Sequence, residues 1–293
     1  MKKDIKDGFI QVPGGKIWYK ITGANACGTP LVVIHGGPGA SHDYLLPLET
    51  LADERPVIFY DQLGCGNSDR PHETSLWTIE RYVEELGILC KELHLTKYHL
   101  LGQSWGGTLA AEYTLSGKPE EVKSLILSAP MISSNRWISD QRTYVNQMPE
   151  DMREVIIKCE AGKDYTNPEY QSAVTEFYNR HLCRVQPYPD PLNKTFEKMN
   201  AEIYTYMWGP SEFTVNGTCK DFDISGRLGE IKVPVLLTAG EFDEAAPDTM
   251  KYFAGLIPYA TVHIFENASH SHHLESKNEY IEVVRTFLRL NSR

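Results

Sequence analysis

The stretch LLGQSWGGTLA, residues 100–110, constrains the fold more than any other part of this 293-residue chain. An apolar run ends in Gly102-Gln103-Ser104-Trp105-Gly106, and small residues at helical spacing follow at once. A serine bracketed by glycines between a strand and a helix sits on a sharp, strained turn. A side chain on either flank would meet the neighbouring strand or helix. Such a turn lifts the hydroxyl into the open at a helix N-terminus, where the backbone dipole favours developing negative charge. The pattern asks for a strand–turn–helix unit with Ser104 as nucleophile.

Around this unit, nearly continuous apolar runs alternate with helical patterns. PLVVIH (30–35), PVIFYD (56–61), YHLLG (98–102), KSLILS (123–128), VPVLLT (233–238) and TVHIFE (261–266) read as strands covered on both faces. GFIQV and KIWYKI flank Pro13-Gly14-Gly15, which reads as a hairpin turn. Helical patterns fill two intervals, TIERYVEELGILCKEL and SWGGTLAAEYTLS, and NEYIEVVRTFLRL closes the chain. This alternation predicts an α/β fold with a mostly parallel central sheet and helices on both faces.

The rhythm stops over residues 131–227, which are rich in Tyr, Trp, Met and charge and show no parallel strand. In NPEYQSAVTEFYNRHL, Asn167 suits an N-cap and Pro168 the first helical position. Tyr170, Val174, Phe177, Tyr178 and Leu182 then share one apolar face. The expected organisation is a core of residues 1–130 and 228–293 with a helical cap of residues 131–227 inserted into it.

Composition narrows the function classes. The net charge is −10 and the basic residues do not cluster, which disfavours nucleic acid and anionic membrane as partners. No apolar run approaches a membrane span, and MKKDIKDGFIQV has no apolar signal-peptide core. Six cysteines without a C-x-x-C suit free thiols in the cytoplasm. No signal sets an oligomeric state.

The remaining chemistry falls at loops after strands. His35-Gly36-Gly37-Pro38-Gly39 follows PLVVI, and its glycines allow backbone N–H groups to approach a reacting carbonyl. The expected oxyanion hole combines the Trp105 N–H with Gly37 as first choice and Gly36 as second. After the last strand, FENASHSHHLE offers His270, His272 and His273. His270, nearest the strand end, is the expected base, and the other two read as bystanders opening the last helix. With no cysteine or second histidine pair nearby, no metal is expected. AGEFDEAAP crowds Glu241, Asp243 and Glu244 behind VPVLLT. Asp243 is best placed to orient the imidazole, Glu241 suits a loop cap, and Glu244 is left over. The chain order Ser…Asp…His is that of α/β-hydrolases.

HGGPG, YDQLGCGNSDRP, GQSWGG, GPSEF, GEFDE and the terminal SH together resemble the proline iminopeptidase (prolyl aminopeptidase) family of α/β-hydrolase serine peptidases. The resemblance spans essentially the whole chain. It implies the α/β-hydrolase fold and release of an N-terminal residue, usually proline, from short peptides with a free N-terminus. It implies no metal or cofactor. It also implies that Glu212 of GPSEF and Glu244 hold the substrate's free amine, which gives the leftover acid its task. A buried ammonium needs such a counter-charge. Tyr204, Phe213 and Trp105 are expected to wall the pocket for the first side chain, and Cys65 to neighbour the site. A broader aminopeptidase or an amino-acid amide or ester hydrolase is the alternative on the same scaffold.

Overall fold

All eight apolar runs become strands of one sheet in the computed structural model, which describes residues 4–117 and 120–292. The strands are β1 (Ile5–Val12), β2 (Gly15–Thr22), β3 (Leu31–Ile34), β4 (Val57–Tyr60), β5 (Tyr98–Gln103), β6 (Val122–Ser128), β7 (Val235–Gly240) and β8 (Ala260–Phe265). Their spatial order is β1-β2-β4-β3-β5-β6-β7-β8. β2 runs antiparallel to β1 and β4, and every later pairing is parallel. Strands β3 to β7 are buried almost throughout, as continuous apolar runs require. β8 departs from that expectation. It is the edge strand, and residues such as Val262 face outward.

The helices are α1 (Ile79–Glu92), α2 (Trp105–Leu115), α3 (Ser134–Asn146), α4 (Glu150–Gly162), α5 (Pro168–His181), α6 (Asp190–Lys198), α7 (Ala201–Met207), α8 (Pro247–Leu256), α9 (His272–Glu275) and α10 (Lys277–Leu290). Leu86 and Leu89 of α1, Leu109 of α2 and Phe253 of α8 cover one face of the sheet. Leu45, Leu48 and Leu51 of a 3-10 segment (His42–Asp53) and Ile281, Val284 and Leu288 of α10 cover the other. The insert between β6 and β7 carries α3 to α7 and has an apolar core of its own around Ile156, Tyr170, Phe177 and Phe213. Within it, Asn167 caps α5 by accepting the Glu169 N–H at 2.9 Å.

The topology fixes where chemistry can happen. β4 lies on one side of β3 and β5 on the other, so the strand order reverses there and the loops leaving β3 and β5 diverge. Parallel α/β sheets bind ligands at such a crevice beyond the carboxyl ends of their strands. The loops after β3, β5, β7 and β8 all open at that edge.

The turn after β5 is the tightest part of the frame. A Cβ on Gly106 would lie 2.1 Å from the Ile34 carbonyl oxygen, and one on Gly102 would lie 2.1 Å from the Gly106 carbonyl oxygen. Both obstacles are backbone and cannot swing away. Gly106→Ala should therefore cost about 1–3 kcal/mol or more of stability. Gly226→Ala, where a Cβ meets nothing within 4 Å, should leave denaturant midpoints unchanged. Parallel unfolding curves of the two variants check this.

Candidate active site

Ser104 occupies the turn between β5 and α2 with φ 54° and ψ −123°, a conformation that L-residues adopt only under constraint. Its N–H donates to the Ser128 carbonyl at 2.8 Å, and its own carbonyl accepts from Gly107 at 2.8 Å. The backbone is thus tied to β6 on one side and α2 on the other. The side chain is left to face a cavity of about 250 Å³.

His270 lines the same cavity from the loop after β8. Its Nδ1 lies 2.8 Å from Asp243 Oδ1, so Nδ1–H donates to the carboxylate and Nε2 is left to accept a proton. Asp243 also accepts the Gly240 N–H at 3.1 Å and the Ala245 N–H at 2.8 Å. Burial by itself would raise the Asp243 carboxyl. The His270 and His272 imidazoles outweigh burial and hold it well below the usual carboxylate range.

His272 is not the bystander the sequence suggested. It is fully buried in the short α9, with Nε2 at 3.0 Å from Ser128 Oγ and 2.9 Å from Thr238 Oγ1. Nδ1 lies 3.2 Å from the Ser269 carbonyl and 3.5 Å from Asp243 Oδ2. Acceptors on the Nδ1 side place the proton there, so the ring backs the carboxylate that His270 uses. His273 is buried against the Tyr44 ring at 5.3 Å, and burial lowers its imidazole pKa well below the ordinary value.

The two glycines expected as oxyanion donors differ in their surroundings. The Gly36 N–H already donates to Tyr44 Oη at 2.7 Å, and Tyr44 Oη donates to Gln103 Oε1 at 2.5 Å. Gly36, the second choice from sequence, is therefore occupied in tying its loop to the turn. Gly37 borders the cavity at φ +115°, and any Cβ there would meet backbone nitrogens at 2.6 and 2.7 Å. Trp105 is the first residue of α2, so its N–H has no acceptor within the helix.

Glu244, from the loop after β7, and Glu212, from the insert, reach the cavity from opposite units. Tyr204 Oη donates to Glu212 Oε1 at 2.7 Å. Both Glu244 carboxyl oxygens are buried without a protein hydrogen-bond partner, and Oε1 sits 3.6 Å from His270 Nε2. Burial raises the Glu212 carboxyl above its ordinary value. It raises Glu244 much further, with the nearby charges of Glu212 and Asp243 adding to the effect. Glu241 stands apart and accepts the Asn267 N–H at 2.9 Å, a loop cap.

A second, tight niche of about 10 Å³ adjoins Ser104, Gly37 and Glu212 and is walled by Trp105, Trp137, Trp208, Met131 and Pro38. Sequence reasoning found Trp105 but missed Trp137 and Trp208, which lie in different helical stretches and meet edge-to-face at 5.6 Å. Tyr204 does line the large cavity. Phe213 does not. It is fully buried in the insert's core, with ring centroids 5.1 Å from Phe177 and 5.9 Å from Tyr170. Cys65 is likewise sealed from both cavities, and burial raises its thiol pKa.

The α/β hydrolase fold family matches residues 29–277. A proline iminopeptidase of Heyndrickxia coagulans is 45% identical over 283 residues, covering 96% of this chain and 98% of the relative. The crystal structure of the proline iminopeptidase of Mycobacterium smegmatis superposes with a TM-score of 0.91 at 37% identity, covering 98% of this chain and 99% of that one. That of VinJ reaches 0.93 at 34% identity with the same coverage. The chain belongs to the proline iminopeptidase family of α/β hydrolases.

In this family member the DQLGCGNS segment is a buttress. Asp61 accepts the backbone N–H of His42 at 2.8 Å and of Asn67 at 2.9 Å, and its Oδ1 lies 2.8 Å from His42 Nδ1. Gln62 Oε1 accepts the Trp105 indole N–H at 3.0 Å, and Gln62 Nε2 donates to the His35 carbonyl at 2.8 Å. The loops after β3, β4 and β5 are thereby locked to one another.

The glutamate pair has a consequence for stability. A carboxyl whose pKa is raised on folding contributes its full stability below the ordinary carboxylate pKa, and loses it as pH rises through the raised value. Glu244→Gln removes the more strongly raised member. Variant and wild type should melt alike in acid. The variant should melt progressively higher than wild type as pH rises above the carboxylate range, measured by thermal denaturation over a pH series.

Proposed function

We propose that the protein is a serine aminopeptidase that releases the N-terminal residue, preferentially proline, from short peptides through an acyl-enzyme. The observation that carries this reading is the Glu244 carboxyl group, buried beside His270 with neither oxygen hydrogen-bonded to a protein group. A bare buried carboxylate is costly, and a second one in the same cavity makes it costlier. A substrate ammonium supplies the missing counter-charge to both Glu212 and Glu244. An N-acylated or internal peptide bond brings none.

With the amine so fixed, the first carbonyl comes to Ser104. Ser104 Oγ attacks the carbonyl carbon while His270 Nε2 takes the hydroxyl proton, and Asp243 stabilises the resulting imidazolium. The oxyanion is directed to the N–H groups of Gly37 and Trp105, donors typically worth about 3–4 kcal/mol in such transition states. His270 then gives the proton to the leaving nitrogen, and the C–N bond breaks. Water, deprotonated by the same nitrogen, hydrolyses the ester and frees the residue. The niche, at about 10 Å³, has room for little more than a water, so the preference for proline rests on the likeness to proline iminopeptidases.

Every step draws on side chains and backbone already present, so this mechanism requires no metal or cofactor. Residues 131–227 act as a functional cap, because they supply Glu212, Tyr204 and two niche tryptophans. The partners on this reading are short peptides with a free N-terminus, and neither nucleic acid nor membrane. No helix among the described residues is long and apolar enough to cross a membrane. The unpaired cysteines fit a cytoplasmic setting.

Substitution at the two glutamates tests the reading. Losing one partner of a buried, hydrogen-bonded charge pair costs roughly 2–5 kcal/mol. Glu212→Gln and Glu244→Gln should each lower kcat/KM on prolyl-arylamide on the order of 30- to several-thousand-fold. A neutral ester, which does not use the amine site, should be hydrolysed about as before. Equal losses on both substrates would assign the glutamates to support of His270. Wild-type cleavage of N-acetyl-prolyl-arylamide at the free-amine rate would overturn the aminopeptidase reading.

A further inference from the structure

The large cavity extends beyond the groups the mechanism uses. Past Ser104 and His270 its wall is formed by Leu182 after α5, Leu192 and Phe196 of α6, Met199, and Ala40. The polar groups among them are already committed. The Thr195 hydroxyl accepts the Tyr44 N–H at 3.0 Å and donates to the Pro191 carbonyl at 3.2 Å, and Tyr44 Oη is held between Gly36 and Gln103. The lining includes no Lys or Arg.

This lobe and the tryptophan niche share Gly37, Ser104 and Glu212, but none of Leu182, Leu192, Phe196 or Met199 borders the niche. The two spaces therefore meet at the nucleophile. A carbonyl carbon attacked there carries its acyl substituent to one side and its leaving nitrogen to the other. With the amine of the first residue held by the two glutamates and its carbonyl at Ser104, the leaving group is directed into the part of the cavity they leave free, the lobe. His270, which must protonate that nitrogen, lines the same cavity as Leu182. The N–H of its neighbour Ser271 donates to the Leu182 carbonyl at 2.8 Å.

We propose that this lobe binds the leaving group and selects substrates whose second residue is apolar and carries no charge next to the scissile bond. The inference rests on the aminopeptidase reading and adds the class of peptide it acts on. An apolar side chain leaving water for this wall gains affinity in proportion to the area it buries. A carboxylate there meets no cation and faces two glutamates. Because every prolyl substrate gives the same acyl-enzyme, the selection acts while the C–N bond breaks and not on hydrolysis of the ester.

The test is internal competition among H-Pro-Gly-NH2, H-Pro-Leu-NH2, H-Pro-Lys-NH2 and H-Pro-Asp-NH2 in one mixture. The ratios of kcat/KM it gives do not depend on the amount of folded enzyme. Wild type should favour Leu over Gly by about 10- to 100-fold, with Asp the poorest. Phe196→Asp, at the half-exposed mouth of the lobe, should compress the Leu preference and raise Lys relative to Leu. Wild type cleaving all four alike would make the lobe a mere passage and overturn the inference. A Leu preference untouched by Phe196→Asp would do the same by placing the selection elsewhere. No cleavage of any of them, or of prolyl-arylamide, would instead be a failure of the aminopeptidase reading itself.

Discussion

Two buried carboxyl groups lining one cavity, with no Lys or Arg in its lining, are an arrangement a folded chain sustains only at a cost. Both the desolvation of each charge and their mutual repulsion oppose it. The surrounding structure bears that cost through contacts to backbone, leaving the carboxyl ends unneutralised. The Trp137 indole N–H donates to the Glu212 carbonyl at 3.0 Å, and Gln141 Nε2 donates to the Glu244 carbonyl at 2.8 Å. Both donors lie on α3, so one helix of the insert braces both acids by their main chains. Arg142, next along the same helix, spends its charge on Glu160 at 2.7 Å and on the Phe213 carbonyl, away from the cavity. That guanidinium is thus kept for the scaffold, away from the acid pair.

The three acids after β7 show how environment, rather than residue type, sets a role. Asp243 receives two backbone N–H groups and an imidazole, and its proton is lost far below the usual range. Its immediate neighbour Glu244 receives nothing at its carboxyl oxygens and holds its proton well above that range. Glu241, three positions earlier, turns outward to an Asn267 N–H. One residue of backbone separates an anion made permanent from an anion made conditional. That contrast is what lets a single loop serve both a proposed catalytic step and a proposed recognition step without the two charges merging.

How much of this was legible in sequence follows the range of the interactions. The elbow glycines, the apolar strand runs and the Asn167 cap each depend on neighbours within a few residues, and each was readable. Glu212 was reachable only through the GPSEF resemblance, because nothing local distinguishes it from a solvated loop acid. Phe213, beside it, was misread: alternation at a turn sends one side chain into the cavity and the next into the insert's core, and sequence does not mark which. Gly36 was misread for a similar reason. Its N–H is claimed by Tyr44, eight residues on, through a hydroxyl that Gln103 orients. His272 is held by hydroxyls from β6 and β7, so its burial behind Asp243 depends on strand neighbours far away in the chain.

The insert does more than roof the cavity. The C-terminal end of α5 reaches down to the sheet's edge, where the His181 carbonyl accepts the His270 N–H at 3.0 Å and the Glu244 N–H at 3.4 Å. The His181 ring, kept neutral by burial, donates from Nδ1 to the Phe242 carbonyl at 2.9 Å and stacks on Tyr144 of α3 at 4.3 Å. A single residue of the insert therefore fixes the backbone on both sides of the acid–base pair. Leu182, the next residue, accepts the Ser271 N–H at 2.8 Å, so the lobe wall is tied to the same loop. The wall of the lobe and the backbone that carries His270 and Glu244 are thus held by the same few hydrogen bonds at the end of α5.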